Sequence, residues 1–285
     1  MPRAELFPTL RIQSALYVGI GIMTHAGSPL MEYAMTYKTF LTASAVSLAF
    51  MTGAQAAQVA ALVGNDTIAI VDTQAKKATK TMQVTGTNGA LVGIDVRPAD
   101  GTLYTIAMDG KATMKSKMDT MLPAGAMATV DFNPVADRLR VIGSDGTSLR
   151  VNVDDGKVTK DGNLKFAETD MHKGEKPMIV AGAYTNSMKG AKETTLYDID
   201  ATIGGLIKQA PPNDGVLNAV GKLGVTGKAF AFDIAADASG GNEGWLMAGE
   251  TLYRVDLASG KATEHGKIAG VGTMVVRDIA IMPKM

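Results

Sequence analysis

The chain has 285 residues, of which 46% are hydrophobic and 20% charged, and its basic and acidic residues balance at a formal net charge of zero. A chain of this length and composition can bury one large core, which excludes disorder as its default state. The balanced charge argues against nucleic acid and anionic lipid as partners, and the absence of Cys excludes disulfides, thiol catalysis and cysteine-ligated zinc.

The N-terminal region contains a pattern typical of a signal peptide. Residues 35–56 carry a basic residue, Lys38, then an apolar run over residues 40–51, and end in Ala54-Gln55-Ala56, which fits a signal-peptidase site. The apolar run is shorter than the roughly 18 to 20 residues that a membrane span needs. We therefore expect an exported, periplasmic or secreted protein that begins at Ala57 and has no membrane span in its mature form.

Residues 1–34 precede this complete signal pattern. We interpret them as lying upstream of the true translation start, which would be Met31 or Met35. A genuine additional N-terminal segment is the alternative. In either case the sequence predicts one folded domain over residues 57–285.

The rest of the chain is predicted to be all-β. Short runs rich in Val, Ile, Leu and Thr alternate with Asp-Gly, Asn-Gly and Asn-Pro turn signals, and no sustained helical stripe of apolar residues follows Ala57. One six-residue pattern, here called the first-strand motif, returns about every 40 to 55 residues. Its five copies are GIDVRP (93–98), TVDFNP (129–134), AGAYTN (181–186), AFDIAA (231–236) and VRDIAI (276–281).

The two ends of the domain each hold half a unit. The mature chain starts with a strand pair over residues 66–79 that lacks a first-strand motif, and it ends with a motif at residues 276–281 that lacks the following strands. Pairing of the ends would close a ring and remove the open edges. The sequence thus predicts a β-propeller of five four-stranded blades, with six blades as the alternative. The predicted blades cover residues 90–125, 127–166, 178–222, 228–268, and 58–85 together with 274–283.

Two segments carry a resemblance to a known family. The segments TVDFNPVADRLRV (129–141) and PPNDGVLN (211–218), within a similarity that extends from Leu62 to Ile281, resemble a bacterial exported family known as domain of unknown function 4394. The resemblance implies a propeller-like β-domain outside the cytoplasm. It implies no activity, substrate or catalytic residue. The Met-rich stretch GKATMKSKMDTM (110–121) departs from the family's usual turn-and-strand pattern.

The first candidate site is the acidic residue of the first-strand motif. In a closed ring these residues would lie at one height around the axis, where their oxygens could bind a hard cation such as Ca²⁺. The alternative is structural: each carboxylate would point toward the neighbouring blade and there accept turn N–H groups or pair with Arg97, Arg138, Arg140 or Arg277. The candidates are Asp95, Asp131, Asp233 and Asp278, with Tyr184 in the remaining unit.

A loop and a methionine cluster supply two further candidates. Asn213 and Asp214 follow two prolines and could present a ligand contact from a rigid loop, although a purely shape-setting turn is the alternative. Met114, Met118 and Met121 are spaced closely enough to offer thioethers to Cu(I), with His172 as a possible companion. The alternative is that these methionines fill gaps in the core.

No sequence motif indicates a catalytic nucleophile or a zinc site. Only two His residues follow Ala57, and neither belongs to a known catalytic pattern. We therefore expect an exported, non-enzymatic and monomeric propeller that binds a small ligand or a protein partner and needs no cofactor. A calcium-assisted hydrolase of lactonase-like class is the first alternative, and a copper-binding protein is the second.

Overall fold

A computed structural model describes residues 57–283 apart from residues 88, 108–110, 113–115, 124–125, 228, 238 and 273–274. The predicted extension, residues 1–34, and the predicted signal peptide, residues 35–56, lie outside the described residues. The described part of the chain is all-β, as the turn and alternation pattern predicted. It contains strands β1 to β21 and one 3-10 turn, η1 (Pro212–Asp214).

The first sheet joins the two ends of the domain. Its strands are β1 (Gln58–Val63), β2 (Thr67–Asp72), β3 (Lys77–Gln83) and β21 (Val276–Ile281). The order is β21-β1-β2-β3, so the last strand of the chain pairs antiparallel with the first. Val59 lies opposite Ile281, and Leu62 lies opposite Asp278. The pairing predicted from the two half units is confirmed.

Four further sheets follow in chain order. The second contains β4 (Leu91–Arg97), β5 (Thr102–Ala107), β6 (Lys111–Ala112) and β7 (Ser116–Lys117). The third contains β8 (Ala128–Asn133), β9 (Arg138–Gly143), β10 (Ser148–Val151) and β11 (Val158–Lys160). The fourth contains β12 (Lys165–Phe166), β13 (Ile179–Tyr184), β14 (Leu196–Asp200), β15 (Gly205–Gln209) and β16 (Val216–Lys222). The fifth contains β17 (Phe230–Ala236), β18 (Asn242–Ala248), β19 (Thr251–Val255) and β20 (Ala262–Lys267).

The turn chemistry of the sequence explains why these strands fold back on their neighbours. Between β4 and β5, Gly101 adopts a positive φ of 69° and its N–H donates to the Arg97 carbonyl at 2.8 Å. Only glycine takes this conformation without steric cost, so the Asp100-Gly101 pair ends one strand and starts the next.

The core lies between neighbouring sheets. The first-strand motifs form the innermost strands β4, β8, β13, β17 and β21, and these pack side by side in cyclic order. Buried apolar side chains fill the space between successive sheets. Trp245, for example, packs between the fifth and first sheets beside Val59 and Ile279. This is a β-propeller-like arrangement, which confirms the predicted fold class.

The structure does not show the five four-stranded blades that the sequence predicted. Four sheets are full blades, whereas in the second sheet the outer strands β6 and β7 are reduced to two residues each. One predicted blade boundary is also wrong, because β12 pairs parallel to β16 of the fourth sheet instead of ending the 127–166 unit. The β12 strand has only two residues, which is too short for its pairing to be read from periodicity.

Candidate functional site

A cavity of about 540 Å³ opens where the innermost strands β4, β17 and β21 end. This volume lies within the range of small-molecule sites. Apolar side chains such as Val96, Ile234 and Ile281 line it. Asp95 and Asp233 belong to the same lining, so the cavity reaches two of the acidic positions singled out by the first-strand motif.

Three of the predicted aspartates form a cluster. Asp95, Asp131 and Asp233 each bring one carboxylate oxygen within 4.8 Å of the others, and each of these side chains is buried. They occupy the same position on β4, β8 and β17, so cyclic packing of these strands brings them together. Asp278, at the equivalent position on β21, is buried as well but lies outside this group of three.

Each of the four carboxylates connects its own strand to the next innermost strand. Three of them also accept the N–H of the residue that follows them, as Asp95 does from Val96 at 2.6 Å. Across the boundary between strands, each carboxylate accepts one main-chain N–H: Asp278 accepts that of Ile94 at 3.0 Å, Asp95 that of Phe132 at 2.6 Å, Asp131 that of Tyr184 at 3.1 Å, and Asp233 that of Ile281 at 2.5 Å. The acidic position of the motif thus supplies the hydrogen bonds that hold neighbouring sheets together.

Burial raises the pKa of all four carboxyl groups. Repulsion between the carboxylates raises these pKa values further. The largest such effects are that of Asp233 on the pKa of Asp95 and that of Asp95 on the pKa of Asp131. For Asp233, burial raises the pKa to about 6 against the lowering effect of the main-chain N–H groups. Buried carboxylates this close cannot all be ionised without compensation, so near neutral pH the cluster favours bound protons or a bound cation.

Arginine does not neutralise the cluster, contrary to one expectation from the sequence. Arg97 instead binds Asp137 at 2.6 Å and Asp154 at 2.9 Å, and Arg140 binds Asp161 at 2.5 Å. Among the described residues, no salt bridge includes one of the four motif aspartates. Arg138 donates to the Asp137 carbonyl at 2.9 Å, and Arg277 donates to the Leu91 carbonyl at 3.0 Å.

Tyr184 does not stand at the acidic position of its unit, which corrects the sequence assignment. The alignment of β13 with the other innermost strands places Ala183 there, and Tyr184 follows it as Phe132 follows Asp131. The Tyr184 side chain is buried, and its hydroxyl accepts a hydrogen bond from Arg140 Nε at 3.1 Å. The fourth sheet therefore contributes a main-chain N–H to the cluster but no carboxylate.

Sequence reasoning missed two further buried carboxyl groups on β14, those of Asp200 and Asp198, and the more unusual of the two is Asp198. The Asp198 side chain is fully buried, and among the described residues neither of its oxygens has a hydrogen-bond partner. Burial raises its pKa to about 8, partly offset by Arg140. No repeat position or motif marks this residue, so its burial could not be read from the sequence.

The predicted loop site has a structural role. Asn213 lies in η1, where its Oδ1 accepts a hydrogen bond from Arg140 Nη2 at 2.8 Å and its carbonyl accepts the Gly162 N–H at 3.0 Å. Asp214 is exposed beside it. The loop thus ties the fourth sheet to the third and does not belong to the cavity lining.

The predicted copper ligands occupy different surroundings. Met114 lies outside the described residues. Met118 is buried in the hydrophobic cluster between the second and third sheets, and Met121 is exposed. His172 packs against the Phe166 ring, and its Nδ1 lies 3.0 Å from Glu175. Met118 and His172 belong to separate packing environments.

Comparison with solved structures finds proteins with low sequence identity. A protein of unknown function from Bacteroides caccae is 14% identical, with a TM-score of 0.42 over 80% of this chain and 100% of that one. Another, from Bacteroides thetaiotaomicron, is 14% identical, with a TM-score of 0.45 over 74% of this chain and 58% of that one. No curated protein matches the chain.

The described residues contain no helix with the length and apolar character of a membrane span. The family comparison is consistent with the segments that carried the resemblance in the sequence. The family model described as domain of unknown function 4394 matches residues 67–280, which is most of the domain. By this match, the chain belongs to the domain of unknown function 4394 family.

Proposed function

We propose that this chain is an exported, non-enzymatic binding protein that takes a small ligand with a cationic group into the cavity at the end of the ring. The observation that carries the proposal is the position of Asp95 and Asp233 in the lining of a 540 Å³ cavity. A positively charged group at these carboxyls would compensate the charge that burial makes unfavourable.

The scaffold suits such a site. The carboxylates are held by main-chain N–H groups of neighbouring strands, so their positions are fixed before a ligand arrives. A fixed site loses less conformational entropy on binding. The apolar walls around Val96, Ile234 and Met282 would accommodate the uncharged part of a ligand.

The proposed site also requires a closed ring of five blades, to which the second sheet would contribute. Strand β4 packs between β21 and β8, and buried apolar side chains fill both interfaces of the second sheet. We propose that the second sheet acts as a fifth blade with shortened outer strands. The ring would then place Asp95 on the axis with the other motif aspartates.

A calcium-assisted hydrolase is the second candidate. The specific observation in its favour is the group of three carboxylate oxygens within 4.8 Å. Calcium takes 6–8 oxygen ligands, so waters or substrate from the cavity would have to complete the shell. In that case the metal would polarise a substrate carbonyl. A protein that only binds its ligand would not need a metal for this purpose.

The two candidates differ in what they bind. Thermal unfolding and calorimetry of the mature protein would be measured with CaCl₂, with hexylamine as a cationic probe, and with hexanol as its neutral counterpart. The leading proposal expects hexylamine to bind and hexanol not to bind. Calcium binding at micromolar concentration, together with calcium found in the purified protein by elemental analysis, would favour the hydrolase. Copper found in the purified protein would favour the copper-binding alternative.

Variants at matched positions locate the site. Asp95→Asn and Asp233→Asn should abolish binding of the cationic probe. Asp278→Asn is the control, because Asp278 makes the same kind of cross-strand hydrogen bond but is outside the cavity lining and the three-oxygen group. Equal loss of binding in all three variants would mean a general structural effect, and unchanged binding in all three would exclude this site.

A further inference from the structure

The cavity has one lining residue whose chemistry depends on processing. Ala57 lies in the lining together with Asp95 and Asp233. It is also the residue that the Ala54-Gln55-Ala56 pattern predicts as the first residue after signal-peptide cleavage. Cleavage at that bond replaces a neutral peptide group at Ala57 with a free α-ammonium group, which carries three N–H donors.

The fold fixes the position of Ala57. Its carbonyl oxygen accepts hydrogen bonds from the Thr73 N–H at 3.2 Å and from Thr73 Oγ1 at 2.9 Å. The carbonyl of the next residue, Gln58, accepts the Met282 N–H at 2.8 Å, and β1 starts there. A terminal ammonium at this position would therefore be held at the cavity wall, whereas most chain ends are mobile.

The charges around the cavity are of both signs. Lys189 supplies a cationic side chain to the lining, and Asp95, Asp233 and Asp237 supply acidic ones. On the elements packed against the start of β1, Asp72 lies opposite Gln58, and His265 Nε2 lies 2.8 Å from the Thr73 carbonyl. The α-ammonium would add a second positive group to the cavity lining that contains Lys189.

We propose that processing at the Ala56–Ala57 bond completes the binding site, and that the Ala57 α-ammonium with Lys189 binds the anionic group of a zwitterionic ligand. The ligand's cationic group would lie at Asp95 and Asp233, so this inference rests on the proposed function. It defines the ligand class as a small molecule with an ammonium group at one end and a carboxylate or similar anion at the other.

A pair of six-carbon probes tests the ligand class. Hexylamine carries the ammonium group alone, and ε-aminocaproate carries the same chain with a carboxylate at the other end. With protein that begins at Ala57, ε-aminocaproate should bind about tenfold more tightly than hexylamine, which corresponds to one charge-assisted hydrogen bond. Nα-acetylation of Ala57, or a Gly-Ser extension before it, should remove this preference while hexylamine still binds. Lys189→Gln should reduce the preference in the same direction.

The outcomes separate this inference from the proposed function. If hexylamine binds but ε-aminocaproate gains nothing, or if acetylation leaves the preference unchanged, the role of Ala57 is wrong and the cationic site stands. If neither probe binds, both the ligand class and the proposed function fail.

A measurement without ligand tests the placement of the ammonium. The ¹³C methyl signal of Ala57 would be followed through a pH titration in the native protein and in Asp233→Asn. The amine pKa should be higher in the native protein than in Asp233→Asn, because the Asp233 carboxylate in the same cavity lining stabilises the charged form of the amine. Equal pKa values in the two proteins would mean that the ammonium lies outside the cavity, which overturns the inference whatever the probes do.

Discussion

Gly182 on β13 and Asp198 on β14 are opposite each other, and the Asp198 carboxylate occupies the space above the glycine. A Cβ atom at position 182 would lie 2.5 Å from Asp198 Oδ1. The other four innermost strands have a larger residue at this position, among them Ile94 and Val130. The fourth sheet therefore differs from the others at two neighbouring positions, with glycine at 182 and alanine, not aspartate, at 183.

The first prediction concerns this contact. Gly182→Ala should lower the free energy of unfolding by about 1–3 kcal/mol, because the added methyl group has to displace a buried carboxylate in a packed core. Urea denaturation measures the change. The double variant Gly182→Ala with Asp198→Ala should recover part of the loss, because the opposing oxygen is gone. Strictly additive effects of the two substitutions would show that the two side chains do not compete for the space.

The second prediction concerns the pH dependence of stability. Burial raises the pKa of Asp198 from 3.8 to about 8 in the folded chain. Between these values the folded chain retains a proton that the unfolded chain releases, so the free energy of unfolding falls as the pH rises, by up to about 1.4 kcal/mol per pH unit. The buried motif aspartates act in the same direction.

Asp198→Asn isolates the contribution of this one group. In urea denaturation between about pH 4 and pH 8, the variant should lose stability with rising pH less steeply than the native protein, because asparagine does not titrate. Asp256→Asn is the control, since Asp256 lies in an exposed turn, where main-chain hydrogen bonds lower its pKa. A slope unchanged by Asp198→Asn would mean that Asp198 is ionised in the folded protein.

The sequence predicted the parts of this protein that repeat. The first-strand motif identified all five innermost strands, and its acidic position identified the three clustered carboxyl groups, because a repeated position in a ring maps to one height around an axis. The pairing of β1 with β21 followed from the half units at the two ends.

The parts that do not repeat were missed. Asp198 and Lys189 have no counterpart in other units, so no pattern marked them. The shortened strands of the second sheet lie in the Met-rich stretch 110–121, whose departure from the family pattern was visible but did not predict their length. Tyr184 was misassigned because the loss of aspartate at position 183 hid the register of its unit. The predicted arginine partners were wrong because carboxylates in the turns bind the guanidinium groups instead. Asp137, in the turn after β8, binds Arg97 of β4 in this way.

The third prediction tests the structural role of the motif aspartates. Asp278→Ala should lower the free energy of unfolding by about 1–3 kcal/mol, because the Ile94 and Ile279 N–H groups lose their buried acceptor. Asp278→Asn should cost less, since its amide oxygen can still accept one of these bonds. Equal losses in the two variants would point to packing rather than to the hydrogen bonds.

The fourth prediction concerns export. Protein recovered from the periplasm or the medium should begin at Ala57 or within a few residues of it, as judged by N-terminal sequencing. Ala56→Arg should block processing, because a signal peptidase requires a small residue there. Mature protein that retains residues 1–34 would contradict both the export prediction and the role of the Ala57 ammonium.

The fifth prediction concerns the closure of the ring by β21. This strand pairs with β1 along one edge, packs beside β4 and β17, and supplies Asp278 to the carboxylate positions. Deleting residues 275–285 should therefore leave the inner edge of β1 unpaired and expose the apolar cluster that Val276 and Ile279 fill. We expect insoluble protein or the loss of a single cooperative unfolding transition. Adding the deleted segment as a separate peptide should restore cooperative unfolding, because the missing strand can pair with the exposed β1 edge as an added β-strand. A truncated protein that melts cooperatively at the native temperature would mean that the first sheet is stable without its innermost strand, and the ring would then not depend on its chain ends.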